Sequence, residues 1–203
     1  KLMQGISNVS KAVSTKTTHP ILSCIFIEAE NGNIKLTAND MEIGIESYVE
    51  GTVIEEGKVA IEAKLLSDIV RKLPDSEIHM ETNEDFKTTI KCEKSLFTIA
   101  GKSGEDFSSL PVVEKSKYIT ISQFTLREII NQTIFSISDS EYNNVMTGEL
   151  FEVSNNRLRV VAIDGHRIAI RNVELKDESQ DVKVIVPGKA LSYISKIVNG
   201  GVD

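Results

Sequence analysis

The sequence is poor in the residues that carry most enzyme chemistry. Of its 203 residues, two are cysteine and three are histidine. Cys24 and Cys92 are too few for a disulfide framework and stand in strand-like surroundings. Both are expected as reduced, buried or half-buried thiols, with a reducing cytoplasm as the natural setting. His19, His79 and His166 show no metal-ligand spacing, and no Cys or second His accompanies any of them. There is no nucleophile motif, no phosphate-cradling glycine loop and no paired-carboxylate site. These absences predict a protein without catalytic centre, metal or cofactor. No apolar run approaches the roughly 20 residues a membrane helix needs, and no secretory h-region opens the chain, so no membrane partner is expected. The first residue is Lys1, which places the expected natural start upstream.

What is present suits a globular protein: 40% of residues are hydrophobic and 26% charged. The length allows one large domain or two of ordinary size. A net charge of −7 argues, as an average, against nucleic acid and membrane surfaces.

The chain repeats itself. Shifted by 124, the segment Val13–Ser47 lies on Ile137–Arg171 without a gap. Ser14 meets Ser138, Glu28 meets Glu152, Asn31 meets Asn155, Ala38 meets Ala162 and Asp40 meets Asp164. Apolar positions coincide too, as in Ile27 with Phe151 and Leu36 with Val160. With one residue inserted, Val59-Ala60-Ile61 meets Val184-Ile185-Val186, and Lys64, Leu66 and Ile69 meet Lys189, Leu191 and Ile194.

Each copy reads as helix, three strands and a second helix, an α+β pattern. The first copy predicts a helix over Leu2–Ser14 and strands over Leu22–Glu30, Asn33–Asn39 and Glu42–Val49, with Asn31-Gly32 as a hairpin turn. A helix over Lys64–Leu73 stops at Pro74, and strands are expected at Glu77–Thr82, Thr88–Glu93 and Ser95–Ala100. In the second copy a strand over Tyr118–Ile121 precedes a helix that Ser122 caps. Gly101–Lys117 reads as a polar linker. The domains are expected at 1–112, without a first strand, and at 113–203, without the last strands.

The helices hold eight basic residues against three acidic ones. That net of +5 leaves −12 for the rest of the chain. Lys11, Lys64, Arg71, Lys189 and Lys196 are the candidates for a face that meets a polyanion. Lysine on helix surfaces also serves solubility.

The sharpest local signal is Val161-Ala162-Ile163-Asp164-Gly165-His166-Arg167-Ile168-Ala169. This segment resembles the second domain of the bacterial DNA polymerase III beta subunits, the sliding clamps. His19-Pro20-Ile21-Leu22, Leu36-Thr37-Ala38-Asn39-Asp40, Glu105–Pro111 and Val184-Ile185-Val186-Pro187 agree with that family in order and spacing. The resemblance covers essentially the whole chain. It implies a DNA-clamp fold of repeated helix and antiparallel-sheet domains, helices on the inner face and sheets outside. It further implies a non-enzymatic processivity factor that encircles double-stranded DNA without reading sequence. Two full-length copies would close a homodimeric ring, and the third domain would be absent here. Partners would be the polymerase III catalytic subunit and the clamp loader, bound through short linear motifs. The implied peptide pocket falls on Met146, Ile163, Gly165, His166, Arg167 and Ile168. Ile163 stands where a threonine is frequent, which makes that part of the pocket more apolar. The implied DNA-facing residues are Lys16 and Lys189, with Ser140 and Asn144 at other DNA-near positions. The implied protomer interface holds Phe97 and Ile99.

Read on the residues alone, Asp164-Gly165 is equally a tight turn with His166 and Arg167 on the following strand's surface. Phe97 and Ile99 alternate as strand core would. A small hydrolase or transferase built on Asp164, His166 and Arg167 is the alternative from another class.

Overall fold

The computed structural model describes residues 1–14, 17–105, 107, 109–113, 116, 118–139, 145–177 and 179–198. The chain divides into two compact units, Lys1–Pro111 and Val112–Asp203.

Unit 1 begins with α1 (Leu2–Val9), which tightens into a 3-10 turn at Ser10–Ala12. A second 3-10 turn, Pro20–Ser23, leads into β1 (Cys24–Glu30), β2 (Asn33–Asn39), β3 (Gly44–Val49) and β4 (Gly57–Glu62). Then come α2 (Ala63–Lys72), β5 (His79–Thr82), β6 (Lys87–Cys92) and β7 (Ser95–Lys102). The strands form one sheet in the order β3-β2-β1-β4-β7-β6-β5. Alternation along the strands sorts its two faces. Ile25, Ile27, Leu36, Ala38, Val59 and Ile61 point to one side, where Ile6, Val9 and Ala12 and then Leu66, Ile69 and Val70 of α2 cover them. Both helices therefore lie on the same face. α2 ends at Leu73, whose extended backbone is what the following Pro74 demands.

The opposite face of this sheet is covered as well. Cys24, Phe26 and Ala60 pack under Phe107, whose ring stacks on Phe26 with centroids 5.0 Å apart. Further along, Leu110 rests on Gly44, where a Cβ would meet its Cδ2 at 2.1 Å. The segment expected as a polar linker from Gly101 thus starts as the end of β7 and then closes the outer face with two apolar side chains.

Unit 2 repeats the plan with α3 (Gln123–Thr133), a 3-10 turn at Ile134–Ser136, β8 (Gly148–Ser154), β9 (Arg157–Ile163), β10 (Ile168–Glu174), β11 (Val182–Pro187) and α4 (Gly188–Ile197). The sheet order is β10-β9-β8-β11. Ser122 caps α3 by accepting from the Thr125 N–H at 3.1 Å. Ile129 and Ile130 of α3 and Leu191 of α4 cover Phe151, Val153, Leu158 and Val160. Here too both helices lie on one face.

The repeat is exact in strand register. Phe26 pairs Thr37 in unit 1, and Leu150 pairs Val161 in unit 2. Ala38 pairs Ile45, and Ala162 pairs Ala169. Ile27 pairs Val59, and Phe151 pairs Val184, carrying the single inserted residue. Even the loop closures match: Ser14 N–H donates to Leu22 O at 3.1 Å and Ser138 N–H to Met146 O at 2.8 Å.

Some expected bounds move. The first helix stops short of Ser14 because its last turn narrows, and Leu22 and Glu42 lie in turns before their strands begin. Tyr118–Ile121 forms no strand. It pairs with none of the described strands, and Ile119 and Ile121 pack sideways on the unit 2 core instead. Alternating apolar residues encode an extended backbone but not a ladder partner.

Candidate functional site

The Asp164-Gly165-His166-Arg167 motif is the turn between β9 and β10. The Asp164 carboxylate accepts from the backbone N–H of His166 at 2.9 Å and of Arg167 at 3.0 Å, and from the Arg167 Nε–H at 2.7 Å. The His166 backbone donor first, and the Arg167 side chain next, hold this carboxyl below the usual carboxylate range. Gly165 takes φ +90°, a left-handed value that glycine adopts freely.

Unit 1 has the same turn. Asp40 accepts from Glu42 N–H at 3.1 Å and Ile43 N–H at 2.8 Å, and Met41 holds φ +76°. Asp164 is therefore committed to backbone donors, as its counterpart is. Neither turn places a nucleophile or metal ligands beside the carboxylate, and among the described residues no cluster of His, Cys, Asp or Glu could hold a metal ion.

Around the turn, Ile163 and Ile168 are direct cross-strand partners. Ile168 is 60% exposed, a large apolar side chain left in solvent at the start of β10. The Ile170–Val161–Leu150–Ile185 row crosses the same sheet face on successive strands. Met146 is half-buried in the loop that enters β8. Gly165, His166 and Arg167 are exposed. So Ile163, Gly165, His166, Arg167 and Ile168 follow one another around one hairpin end, and Met146 lies on the separate loop that enters β8.

The basic candidates lie on the helical side of each unit. Lys64 and Arg71 are exposed on α2, opposite its buried Leu66, Ile69 and Val70, and Lys189 and Lys196 are exposed on α4. Lys11 sits on the 3-10 turn after α1, its Nζ donating to Ser7 O at 3.1 Å. Lys16, Ser140 and Asn144 fall outside the described residues. The two interface candidates part company: Phe97 is 38% exposed, whereas Ile99 is 7% exposed and belongs to the unit 1 core. They share a strand face, but only Ile99 is buried in the cluster beneath the helices, so an interface role for Ile99 has no exposed side chain behind it.

Family models place these units. Residues 1–111 match the DNA polymerase III beta subunit N-terminal domain, and residues 120–203 match that subunit's central domain. The chain belongs to the DNA polymerase III beta subunit family. Among relatives of that family, a beta sliding clamp of Halalkalibacterium halodurans is 38% identical over 97% of this chain and 55% of its own length. A structure of a DNA polymerase III beta subunit from Eubacterium rectale is 56% identical with a TM-score of 0.96, covering 100% of this chain and 55% of that one. The Bacillus subtilis sliding clamp superposes with a TM-score of 0.92 at 33% identity, covering 98% of this chain and 55% of that one. The chain thus spans about 55% of the length of the curated relative.

Two features of this chain escape a sequence reading. One is Phe135, on the 3-10 turn after α3, whose ring centroid lies 5.8 Å from the Arg167 guanidinium carbon. The other is a polar group inside the unit 2 core: Thr133, Ser136 and Glu149 are all fully buried. In unit 1 the same positions are Val9, Ala12 and Ile25. Thr133 Oγ1 donates to Glu149 Oε2 at 2.8 Å, while Glu149 Oε1 and Ser136 Oγ have no hydrogen-bond partner among the described residues. Burial pushes the Glu149 carboxyl up to about 7, against the opposing Thr133 hydrogen bond. The position-by-position comparison of the two copies was the signal that could have exposed both features.

Proposed function

We propose that the protein to which this chain belongs is a DNA sliding clamp, a processivity factor that encircles duplex DNA and tethers the replicative polymerase. The observation that carries this reading is the repeat: two units of one plan, each with its basic helices on one face of an antiparallel sheet. Such a protein performs no bond chemistry. Its grip is topological, since a closed ring leaves duplex DNA only by opening or by reaching an end. The inner surface must attract phosphates without binding bases, because base-specific hydrogen bonds would pin the ring in place. Lys11, Lys16, Lys64, Arg71, Lys189 and Lys196 supply that attraction, chiefly as mobile ammonium groups on flexible stems. Net negative charge elsewhere discourages DNA from binding outside.

Met146, Ile163, Gly165, His166, Arg167 and Ile168 form a wall for short linear motifs of the polymerase catalytic subunit and the clamp loader. Ile163 and Ile168 supply apolar contact there. Phe97 contributes to the contact that closes a homodimeric ring. The protein works in the cytoplasm beside the chromosome, as a non-catalytic subunit. Against a hydrolase or transferase stands the Asp164 turn, which unit 1 builds in the same way without His or Arg.

The test uses full-length protein loaded by its clamp loader on a nicked circular plasmid and passed through a sizing column. The clamp should remain with the circle and be lost when the plasmid is linearised. Equal retention on both forms would refute topological binding.

A further inference from the structure

The turn that carries His166 and Arg167 does not need either of them. Unit 1 closes the same turn with Met41, Glu42 and Ile43, and its carboxylate-to-backbone distances differ by about 0.2 Å. What unit 2 adds is a hold on one side chain. The Arg167 Nε–H is pinned by Asp164 Oδ2 at 2.7 Å, and the guanidinium carbon sits 5.8 Å from the Phe135 ring centroid. That distance is within cation–π range. Phe135 takes the position of Lys11, and Arg167 that of Ile43, so neither member of the pair has a counterpart in unit 1.

The ring is also a poor candidate for core packing. Phe135 is 57% exposed, on a turn whose buried member is Ser136. An exposed phenyl group that a homologous unit replaces by lysine is not required by the fold. With its Nε engaged, Arg167 keeps four N–H donors on its terminal nitrogens, set in a planar fork.

We propose that Phe135 is a positioning residue for partner docking: ring and Asp164 together fix the Arg167 guanidinium at the turn that leads into Ile168. The fork is thereby held ready for an oxygen acceptor, a carbonyl or carboxylate, on a segment whose apolar side chains meet Ile163 and Ile168. This rests on the reading of that surface as a peptide-docking wall. The gain is preorganisation, since an arginine already held loses less freedom when it binds. Removing the ring is worth about two- to fivefold in affinity, the range of an exposed cation–π contact.

The experiment uses full-length protein and a fluorescein-labelled synthetic peptide of the last twenty or so residues of the same organism's polymerase catalytic subunit, read by anisotropy. Thermal melts check that each variant folds. Phe135→Leu should weaken binding two- to fivefold and shift the Arg167 Nε–Hε NMR resonance, assigned by its loss in Arg167→Lys. Phe135→Trp should keep affinity within twofold. In the Arg167→Lys background, Phe135→Leu should weaken binding no further. The proposal is overturned if Phe135→Leu changes neither resonance nor affinity, if Phe135→Trp weakens binding as much as Phe135→Leu, or if the loss persists without the arginine. A peptide that fails to bind the unaltered protein overturns the docking reading itself. The Nε–Hε resonance would then still report whether the ring holds the guanidinium.

Discussion

Glu149 makes the stability of unit 2 depend on pH in a direction opposite to that of most carboxylates. Its side chain is fully buried, with one oxygen bonded to Thr133 and the other without a partner among the described residues. Burial raises its pKa from 4.5 to about 7. A raised carboxyl pKa means that the folded state keeps a proton the unfolded chain has already lost. The contribution is therefore fully present below pH 4.5 and declines as pH rises toward 7. At about 1.4 kcal/mol per pH unit, the loss amounts to about 3 kcal/mol. Glu149→Gln keeps an acceptor for Thr133 and cannot ionise. Urea unfolding of both proteins, followed by NMR at residues of unit 2 between pH 4.5 and 8.5, isolates the effect as a difference curve. The variant should gain on the parent protein as pH rises, by up to about 3 kcal/mol above pH 7. Parallel curves across that range would refute the argument, because the carboxyl would then titrate alike in both states.

Two further outcomes follow from the geometry. Gly104→Ala puts a Cβ 2.0 Å from Phe26 Cε2, so the Phe26–Phe107 stack must move. The cost should be about 1–3 kcal/mol in a denaturant melt of unit 1, and an unchanged midpoint would show that the outer cover contributes nothing. Asp164 should titrate below ordinary aspartates, because its charged form accepts two backbone donors and the Arg167 side chain. Its contribution persists above the usual aspartate pKa and is lost as pH falls through the lowered one. Carbon-detected NMR of the carboxyl checks this, and an ordinary midpoint would mean that the turn is not held as described.

The architecture was legible because apolar periodicity survives where identity does not. Leu36 and Val160 share no side chain, yet both must face a helix layer, and the shift of 124 that aligns them also aligns their strand partners. Asn31-Gly32 and Ser122 were readable for local reasons, a left-handed hairpin turn and a capping hydroxyl. Glu149 was not, because a lone glutamate in a strand is read as solvent-facing, and only the packed sheet reveals that its side chain points inward. Phe135 was hidden for the opposite reason: an aromatic at the end of an apolar helix is read as core. Phe107 looked like a stray residue in a polar linker, since nothing local says that it folds back on Phe26. In each case the missing information was tertiary, not a matter of propensity.

That fold-back has a consequence for valency. Phe107 and Leu110 are tethered to the sheet they cover, joined to its last strand, β7, by a few residues, so their effective concentration at that face far exceeds that of any free segment. In unit 2 the position of Gly44 is taken by Ile168, whose side chain is 60% exposed. A segment arriving from solution at the outer face of unit 1 would therefore first have to displace its resident competitor, Phe107 and Leu110.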